Sequence, residues 1–229
     1  MANLDGPRRA PASGETDSLV SLLHGYGADG ADLIGLAEPL AEYMPGTVFR
    51  APDAPERCVV NPAGRQWFPI SQIDGSPESA MREGYLRAAE ALDAYLPAAM
   101  EEEGVPPERM AVIGFSQGTM MALAVAPRRA PGPAAIVGFS GRVIDPDALP
   151  LAASRPPVLL VHGDRDDVVP HSAMAQAQEA LAGAGFEVSS FTSRGTGHGI
   201  APDGLGLALG FLVDKLGVGR RPGHDGHAT

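Results

Sequence analysis

The chain has 229 residues, a formal net charge of −11 and 44% hydrophobic residues, and these values exclude several classes of protein. Binding to nucleic acid or to an anionic membrane surface needs clustered Lys and Arg, and the sequence has no such cluster. The segment Met1–Gly14 has no apolar core of signal-peptide length, and no uninterrupted apolar stretch of the sequence is long enough to span a bilayer. The single cysteine, Cys58, cannot form an internal disulfide and is typical of a reducing cytoplasm, so we expect a cytoplasmic protein without integral membrane association.

The length and the hydrophobic content favour a single α/β domain, which we place at residues 17–216. Residues 1–16 are rich in Pro, Ala, Gly and Arg, and residues 217–229 are rich in Pro, Gly and His. Both segments are therefore expected to be flexible. The sequence does not decide between a monomer and a homodimer.

Short apolar runs alternate with segments of helical spacing along the domain, which predicts a mostly parallel sheet covered by helices on both faces. Strands are predicted at 19–23, 46–51, 110–113, 134–139, 158–161 and 187–192. Helices are predicted at 29–44, from a Ser76 cap toward 104, and at 117–126, 172–182 and 205–216. The long segment 52–75 is rich in proline, contains Trp67 and is expected to be a functional or mobile loop.

The segment Gly114-Phe115-Ser116-Gln117-Gly118 lies where a predicted buried strand passes directly into a predicted helix. Its Gly-x-Ser-x-Gly form is that of a nucleophile elbow, in which a sharp turn presents the serine hydroxyl at the carboxyl edge of the sheet. The same turn places the Gln117 amide at a helix N-terminus, where negative charge is favoured. Ser116 is therefore the candidate nucleophile, and the Gln117 N–H is a candidate oxyanion donor.

A similar segment, Gly138-Phe139-Ser140-Gly141, provides a comparison within the same sequence. It has no second glycine at the right place, and it leads into Arg142 and a proline rather than into a helix. We therefore expect Ser140 to be a residue at the end of a strand and not a nucleophile.

A serine hydroxyl needs a base to accept its proton, and the base needs a third group to hold it in the right tautomer. After Ser116 the sequence supplies acids in the segment that follows the strand at 158–161, and then His198 between two glycines. This order of serine, acid and histidine is that of an α/β hydrolase. Asp164, Asp166 and Asp167 lie too close together for spacing alone to choose the acid.

The other histidines of the domain have simpler interpretations. His162 ends a strand and is expected to form a structural hydrogen bond with the backbone, and His171 begins a helix as a surface or capping residue. His24 precedes a glycine-rich turn, which it is expected to order. A metal site is a minor alternative because its donors lack the spacing of one helix face. Its ligands would be His162, Asp164, Asp166 and His198.

Four segments together form a pattern that is far more specific than the serine turn alone. They are His24-Gly25-Tyr26-Gly27-Ala28-Asp29-Gly30, Gly114-Phe115-Ser116-Gln117-Gly118, His162-Gly163-Asp164-Arg165-Asp166-Asp167-Val168-Val169-Pro170 and Gly197-His198-Gly199. With them, the sequence resembles the phospholipase/carboxylesterase family of α/β hydrolases, which includes the acyl-protein thioesterases. The resemblance covers essentially residues 17–216 and implies an α/β-hydrolase fold.

The resemblance also implies roles for individual residues. Asp166 would be the triad acid beside Ser116 and His198, which leaves Asp164 and Asp167 structural. The backbone amides of Tyr26 and Gln117 would form the oxyanion hole. The implied chemistry is acyl transfer through an acyl-enzyme and needs no cofactor or metal.

Substrate binding is expected at the proline-rich loop, where Trp67-Phe68 resembles the Trp-Phe pair of the family's acyl-site loop. Trp67, Phe68 and Ile70 would form an apolar wall, unless they anchor the loop to the core instead. Only residues 141–157 separate two strands where many α/β hydrolases insert a cap, so we expect an open site without a large cap domain. The family pattern often has leucine in place of Tyr26 and glycine in place of Thr119, which bears on substrate range.

These expectations converge on a serine carboxylesterase acting on short- to medium-chain esters as small-molecule substrates. An acyl-protein thioesterase or a lysophospholipase is the nearest alternative. A dienelactone-hydrolase-like activity is disfavoured, because that family uses a cysteine nucleophile. A hydrolase-fold protein that only binds its ligand is the non-enzyme alternative, and the complete set of catalytic groups argues against it.

Overall fold

The computed structural model describes residues 4–219, and its centre is a seven-stranded sheet. The strands lie in the order β1, β3, β2, β6, β7, β8, β9, and every neighbouring pair is parallel except β1 and β3. Their bounds are β1 Arg8–Arg9, β2 Ser18–Leu23, β3 Thr47–Arg50, β6 Met110–Phe115, β7 Ala135–Phe139, β8 Val158–Gly163 and β9 Val188–Ser193. A separate two-stranded hairpin pairs β4 (Glu56–Arg57) with β5 (Arg65–Gln66) inside the proline-rich loop.

Seven α-helices within residues 4–219 cover the sheet. They are α1 Gly30–Ile34, α2 Ala37–Ala41, α3 Ser71–Asp74, α4 Glu78–Glu103, α5 Gln117–Val125, α6 Ser172–Gly183 and α7 Pro202–Leu216. The central strands are buried on both faces, so their apolar residues point alternately into two cores. One core is packed against α4, α5 and α6, and the other against α1, α2 and α7. This is the predicted α/β-hydrolase architecture, with helices on both faces of a mostly parallel sheet.

The amino-terminal segment differs from the sequence expectation. Residues 1–16 were expected to be flexible, but Arg8 and Arg9 pair antiparallel with Arg50 and Phe49 and add an edge strand to the sheet. The Arg8 guanidinium donates two hydrogen bonds, of 2.8 and 2.7 Å, to the Glu103 carboxylate at the end of α4. A charged pair of residues has no apolar periodicity, so sequence patterns could not indicate this strand.

The tail was also expected to be flexible from residue 217. Gly217 takes a left-handed conformation that ends α7, and Val218 packs into the core, so the first part of that segment is ordered. Residues 220–229 lie outside the described part of the chain.

Two helix predictions need correction. The single helix expected at 29–44 is two short helices, because Pro39 cannot donate to the carbonyl four residues earlier and the chain restarts as α2. The long helix begins at Glu78 with Pro77 as its N-cap, not with Ser76. Within residues 4–219, no helix combines the length and the apolar content that crossing a membrane requires.

Candidate active site

The serine turn joins the central strand β6 to α5 in a strained conformation. Ser116 has φ 53° and ψ −113°, a combination that L-residues rarely adopt. Glycine is required on both sides: a Cβ on Gly114 would lie 2.5 Å from the backbone of Gly118, and one on Gly118 would overlap the carbonyl oxygen of Leu23. The turn is therefore pressed against itself and against the end of β2, which holds the Ser116 hydroxyl at the carboxyl edge of the sheet.

Three side chains from three strand ends form a continuous chain of hydrogen bonds at this edge. The Ser116 Oγ lies 3.0 Å from His198 Nε2, and His198 Nδ1 lies 2.8 Å from Asp166 Oδ2. The His198 ring packs at 5.0 Å, centroid to centroid, against Phe115, which fixes its plane. An ionised carboxylate can only accept hydrogen bonds, so His198 Nδ1 carries a proton and donates a hydrogen bond to Asp166. His198 Nε2 is then free to accept the serine proton.

Asp166 is ionised although its side chain is fully buried. Burial alone would raise the pKa of this carboxyl, but hydrogen bonds from His198 and from the amides of Val169 and Val168 hold the pKa below its usual value. Oδ1 accepts both amides, at 2.8 and 2.9 Å, while Oδ2 faces the imidazole. The carboxylate is thus fixed in position and stays charged at neutral pH.

A second histidine reaches the same carboxylate oxygen. His162 Nε2 lies 3.1 Å from Asp166 Oδ2 and 2.9 Å from the carbonyl oxygen of Val169, to which it donates. The expected backbone bond of His162 is therefore present, but the contact with Asp166 is an additional one. Sequence reasoning missed it because only the turn Gly163–Val169 brings the two side chains together.

The neighbouring acids have different surroundings. Asp164 Oδ1 accepts the amide of Gly195 at 2.6 Å and so holds the loop that carries His198. A Cβ on Gly163 would overlap the carbonyl oxygen of Thr196, so this loop packs directly against the end of β8. Asp167 is exposed. Within residues 4–219 no group of three or more His, Cys, Asp or Glu side chains is arranged to hold a metal ion.

The loop after β2 lies against the serine turn. A Cβ on Gly25 would be 3.3 Å from the Ser116 Cβ, so the backbone of Gly25, next to Tyr26, packs tightly against Ser116. Within the described residues the Tyr26 amide has no hydrogen-bond acceptor, and the Gln117 amide is the first of α5, where helical N–H groups are unpaired. Both amides are free to receive a ligand oxygen.

His24 orders this loop in a single tautomer. The Ala54 amide donates to its Nε2 at 2.9 Å, so Nε2 has no proton and Nδ1 donates to the Gly25 carbonyl at 2.8 Å. Burial lowers the pKa of His24 and outweighs the opposing effect of the Gly25 hydrogen bond. The side chain is neutral and structural, as the sequence suggested.

The side chain of Gln117 ties the serine turn to the proline-rich loop. Its Oε1 accepts the Trp67 amide at 2.9 Å, and its Nε2 donates to the Phe68 carbonyl at 2.8 Å. The Trp67 indole N–H in turn donates to the His24 carbonyl at 2.9 Å. These buried hydrogen bonds join the Ser116 turn, the His24 loop and the Trp67 loop into one unit.

A cavity of about 680 Å³ opens beside Ser116 and His198. Its walls are mainly apolar, and the segments Ile70–Ile73 and Val168–Ala173 contribute much of its surface. The hydroxyl of Tyr26 donates to Asp74 at 2.8 Å, and Asp74 also accepts the Ile70 amide, so the glycine-rich loop and this wall are connected. The lining consists of Tyr26, Ile70, Gln72, Ile73, Ser116, Met120, Arg142, Val168, Val169, Pro170, Ser172, Ala173, Gln176 and His198.

Known proteins show which family the chain belongs to. A model of the phospholipase/carboxylesterase family matches residues 9–215. The chain belongs to this family. Among relatives of similar length, esterase YpfH of Escherichia coli K12 is 31% identical over 90% of each chain, and acyl-protein thioesterase 1 of Gibberella zeae is 29% identical over 90% of this chain and 94% of the relative. The crystal structure of esterase PE8 has a TM-score of 0.88 and 42% identity, covering 94% of this chain and all of the other.

The family pattern and the structure diverge at the predicted acyl wall. Trp67 and Phe68 do not line the cavity: their side chains are 0% and 2% exposed and anchor the loop in the core. Ile70 does line it. The expectation for Trp67 and Phe68 was wrong because the hydrogen bonds to Gln117 turn this part of the loop inward. The remaining lining residues were missed, although Val168-Val169-Pro170, directly after the acidic turn, was a usable signal.

The Ser140 turn lies directly beside the Ser116 turn. Ser140 follows β7 with φ 48°, and its buried Oγ has no hydrogen-bond partner within the described chain. Thr119 lies between the two turns, with its Oγ1 2.8 Å from the carbonyl oxygens of both Gly114 and Phe139. Thr119 therefore links the strands that carry the two serines.

Proposed function

We propose that this chain is a serine carboxylesterase that hydrolyses short- to medium-chain esters through an acyl-enzyme on Ser116. The observation that carries the proposal is the hydrogen-bonded series Ser116–His198–Asp166 at the mouth of a largely apolar cavity of about 680 Å³. The strained elbow, the fixed tautomer of His198 and the buried ionised carboxylate are what nucleophilic acyl transfer requires. Family membership and relatives named esterase and carboxylesterase support the same reaction.

In the acylation step, His198 Nε2 accepts the hydroxyl proton as Ser116 Oγ attacks the ester carbonyl. Negative charge then develops on the carbonyl oxygen, where the amides of Tyr26 and Gln117 would donate to it, helped by the positive end of α5. Asp166 stabilises the imidazolium that forms. The proton passes from His198 to the leaving alcohol, and the carbon–oxygen bond to that alcohol breaks.

Deacylation repeats these steps with water. His198 accepts a proton from the water as it attacks the acyl-enzyme, the tetrahedral intermediate collapses, and Ser116 regains its proton as the carboxylic acid leaves. The Phe115 ring against His198 holds the imidazole near both reacting oxygens during the two half-reactions. Free Ser116 is restored after each turnover.

Hydrolysis of thioesters is a second candidate. Several relatives are named acyl-protein thioesterase, and the same series of groups would attack a thioester carbonyl. The open mouth, without a cap between β7 and β8, would admit a bulky leaving group. A location in the cytoplasm stays part of the proposal, supported by the free and buried Cys58.

The test is hydrolysis of p-nitrophenyl esters with two to sixteen acyl carbons, together with the thioester of the best acyl chain. Ser116→Ala should lower kcat by at least about 10⁴-fold, because the nucleophile is lost. Ser140→Ala is the matched control, since it removes the other strained serine hydroxyl, and it should keep wild-type turnover. Equal rates for wild type and Ser116→Ala, or no turnover of any ester, would contradict the proposal and favour a protein that only binds its ligand.

A further inference from the structure

Arg142 is the one side chain of the cavity lining that carries a permanent charge. Arg142 follows Gly141 in the chain. A Cβ on Gly141 would lie 2.9 Å from the carbonyl oxygen of Ser116, so Gly141 packs directly against the serine turn. The side chain is exposed at the mouth of the cavity. Arg142 and the reacting serine thus line the same cavity.

The charge of the cavity is opposite to that of the protein as a whole. The chain has 28 Asp and Glu residues against 17 Lys and Arg, yet no carboxylate lines the cavity. Two carboxylates contact lining residues and are occupied by them: Asp166 is fully buried and accepts hydrogen bonds from His198 and two amides, and Asp74 accepts hydrogen bonds from the Tyr26 hydroxyl and the Ile70 amide. Among the lining residues, a negatively charged ligand group would therefore meet one cation and no carboxylate.

Arg142 also has no partner of its own. Other arginines, such as Arg8, Arg87 and Arg129, are paired with carboxylates. Arg142 makes neither a hydrogen bond nor an ion pair with any residue from 4 to 219. Its five N–H donors are therefore available to a ligand, and a guanidinium fork matches a carboxylate in a bidentate geometry.

We infer that Arg142 selects esters that carry a carboxylate group, which it binds while the ester carbonyl lies at Ser116. This inference rests on the proposed esterase function and adds a substrate class to it. A carboxylate fits better than a phosphate dianion, because a single arginine in a protein of charge −11 balances one negative charge and not two. The apolar walls between Arg142 and Ser116 suit a short alkyl chain that joins the two groups.

Binding by Arg142 would act on affinity and not on the chemical step. The carboxylate is remote from the bonds that change, so its interaction is equally strong in the bound substrate and in the transition state. A charged hydrogen bond at an exposed position is expected to change kcat/KM by about tenfold. The change should appear in KM, with kcat almost constant, and should shrink at high salt.

The experiment compares matched neutral and charged esters by pH-stat titration. Methyl hexanoate and monomethyl adipate differ only in a carboxylate at the end of the acyl chain, and butyl acetate and 4-acetoxybutanoate differ in the same way on the alcohol side. Wild type is expected to have a KM about tenfold lower for the charged member of one of these pairs. The pair that responds shows which side of the ester faces Arg142.

Three variants complete the design. Arg142→Gln should remove the preference for the charged ester, measured as the ratio of kcat/KM for the charged and the neutral ester of one pair, whereas Arg142→Lys should keep part of it. Arg82→Gln is the control. Arg82 is another exposed arginine, it has no hydrogen-bond or ion-pair partner among residues 4–219, and it lies outside this cavity, while the substitution removes the same charge. It should behave as wild type.

Failure of the inference and failure of the proposed function give different results. Turnover of neutral esters without any preference for a charged one, or an equal loss in Arg142→Gln and Arg82→Gln, overturns the inference and leaves the esterase intact. Absence of all turnover overturns the function. In that case, calorimetric titration of monomethyl adipate tests the role of Arg142 in binding. The titration compares Ser116→Ala with the double variant Ser116→Ala/Arg142→Gln. Weaker binding in the double variant supports the role of Arg142, and equal binding contradicts it.

Discussion

The two serine turns at the ends of β6 and β7 share the sequence Gly-Phe-Ser and a positive φ at the serine, but their surroundings differ. Each serine follows a Gly-Phe pair, and each has a positive φ, 53° for Ser116 and 48° for Ser140. Ser116 Oγ lies 3.0 Å from His198, whereas Ser140 Oγ is buried without a partner. The comparison shows that a strained serine at a strand end is not sufficient for a nucleophile.

What distinguishes the turns is the segment that follows each of them. After Ser116 the chain enters α5, which supplies an unpaired amide and a positive helix end beside the hydroxyl. After Ser140 it passes through Gly141 and Arg142 to the short helical turn Pro146–Leu151. The second turn gives the cavity a charged side chain, and the first gives it a reactive oxygen.

The largest effect is expected from breaking the series of hydrogen bonds at its far end. Asp166→Asn would keep the shape of the side chain but remove the charge and favour the wrong tautomer of His198, so kcat should fall by about 10⁴-fold. Thermal unfolding of the purified variant should show that it still folds. A kcat near the wild-type value would mean that Asp166 does not orient His198.

The link between the turns is tested by Thr119→Val. The valine has the same shape, but the carbonyl oxygens of Gly114 and Phe139 would lose the single hydroxyl proton that they share. The free energy of unfolding should fall by about 2 kcal/mol, measured by urea denaturation. Thr119→Ser keeps the hydroxyl and should retain more of the stability than Thr119→Val. If the valine variant were the more stable of the two, the hydroxyl would not be what joins these strands.

The Ser116 turn is backed by the His24 loop, which makes the protein sensitive to mild acid. The folded-state pKa of His24 is lowered from 6.5, so below pH 6.5 the unfolded state binds more protons than the folded state. The contribution of His24 to the free energy of unfolding should therefore be constant above this pH and fall by up to about 1.4 kcal/mol per pH unit below it.

Urea denaturation between pH 7.5 and 5.5 measures this dependence. His24→Gln should be less stable at every pH but should show a smaller decrease toward pH 5.5, because the titrating group is gone. An equal slope in both proteins would assign the acid sensitivity to another residue.

The smallest effect is expected at the second turn. Ser140→Gly removes the strain of holding a residue with a side chain at positive φ, and it also removes a buried hydroxyl without a partner. Together these two gains in stability should outweigh the entropy that glycine loses on folding. The variant should be more stable by about 1 kcal/mol and should hydrolyse esters at the wild-type rate. Ser140→Ala separates the two contributions, because it keeps the strain. A marked loss of activity in Ser140→Gly would reveal a role in the site.

Sequence alone predicted the parts of the molecule that follow from local patterns. Apolar runs identified the central strands, and the glycines around Ser116 predicted an elbow whose close contacts the structure explains. The motif order predicted that Ser116, an acid after the strand at 158–161 and His198 would meet at one edge of the sheet, because parallel strands all end there, and the family resemblance chose Asp166 as the acid. Periodicity, turn residues and family resemblance were sufficient to predict the strands, the elbow and the three catalytic residues.

The features that sequence could not predict depend on long-range contacts. The direction of Trp67 and Phe68 is set by Gln117, about fifty residues away. The contact of His162 with Asp166 depends on the path of a turn, and the position of Arg142 depends on Gly141 packing against Ser116. No local pattern encodes which way such a side chain points.

The pairing of Arg8–Arg9 with β3 has a consequence for how the chain behaves in solution. Without it, the backbone of Phe49 and Arg50 would be part of the open border of the sheet, and such a border can pair with a strand of another molecule. The short arginine-rich strand occupies that border and ends after two residues, so it offers little backbone for further growth. A chain shortened to begin at residue 17 should therefore retain its fold less well and self-associate at concentrations where the full chain stays dispersed.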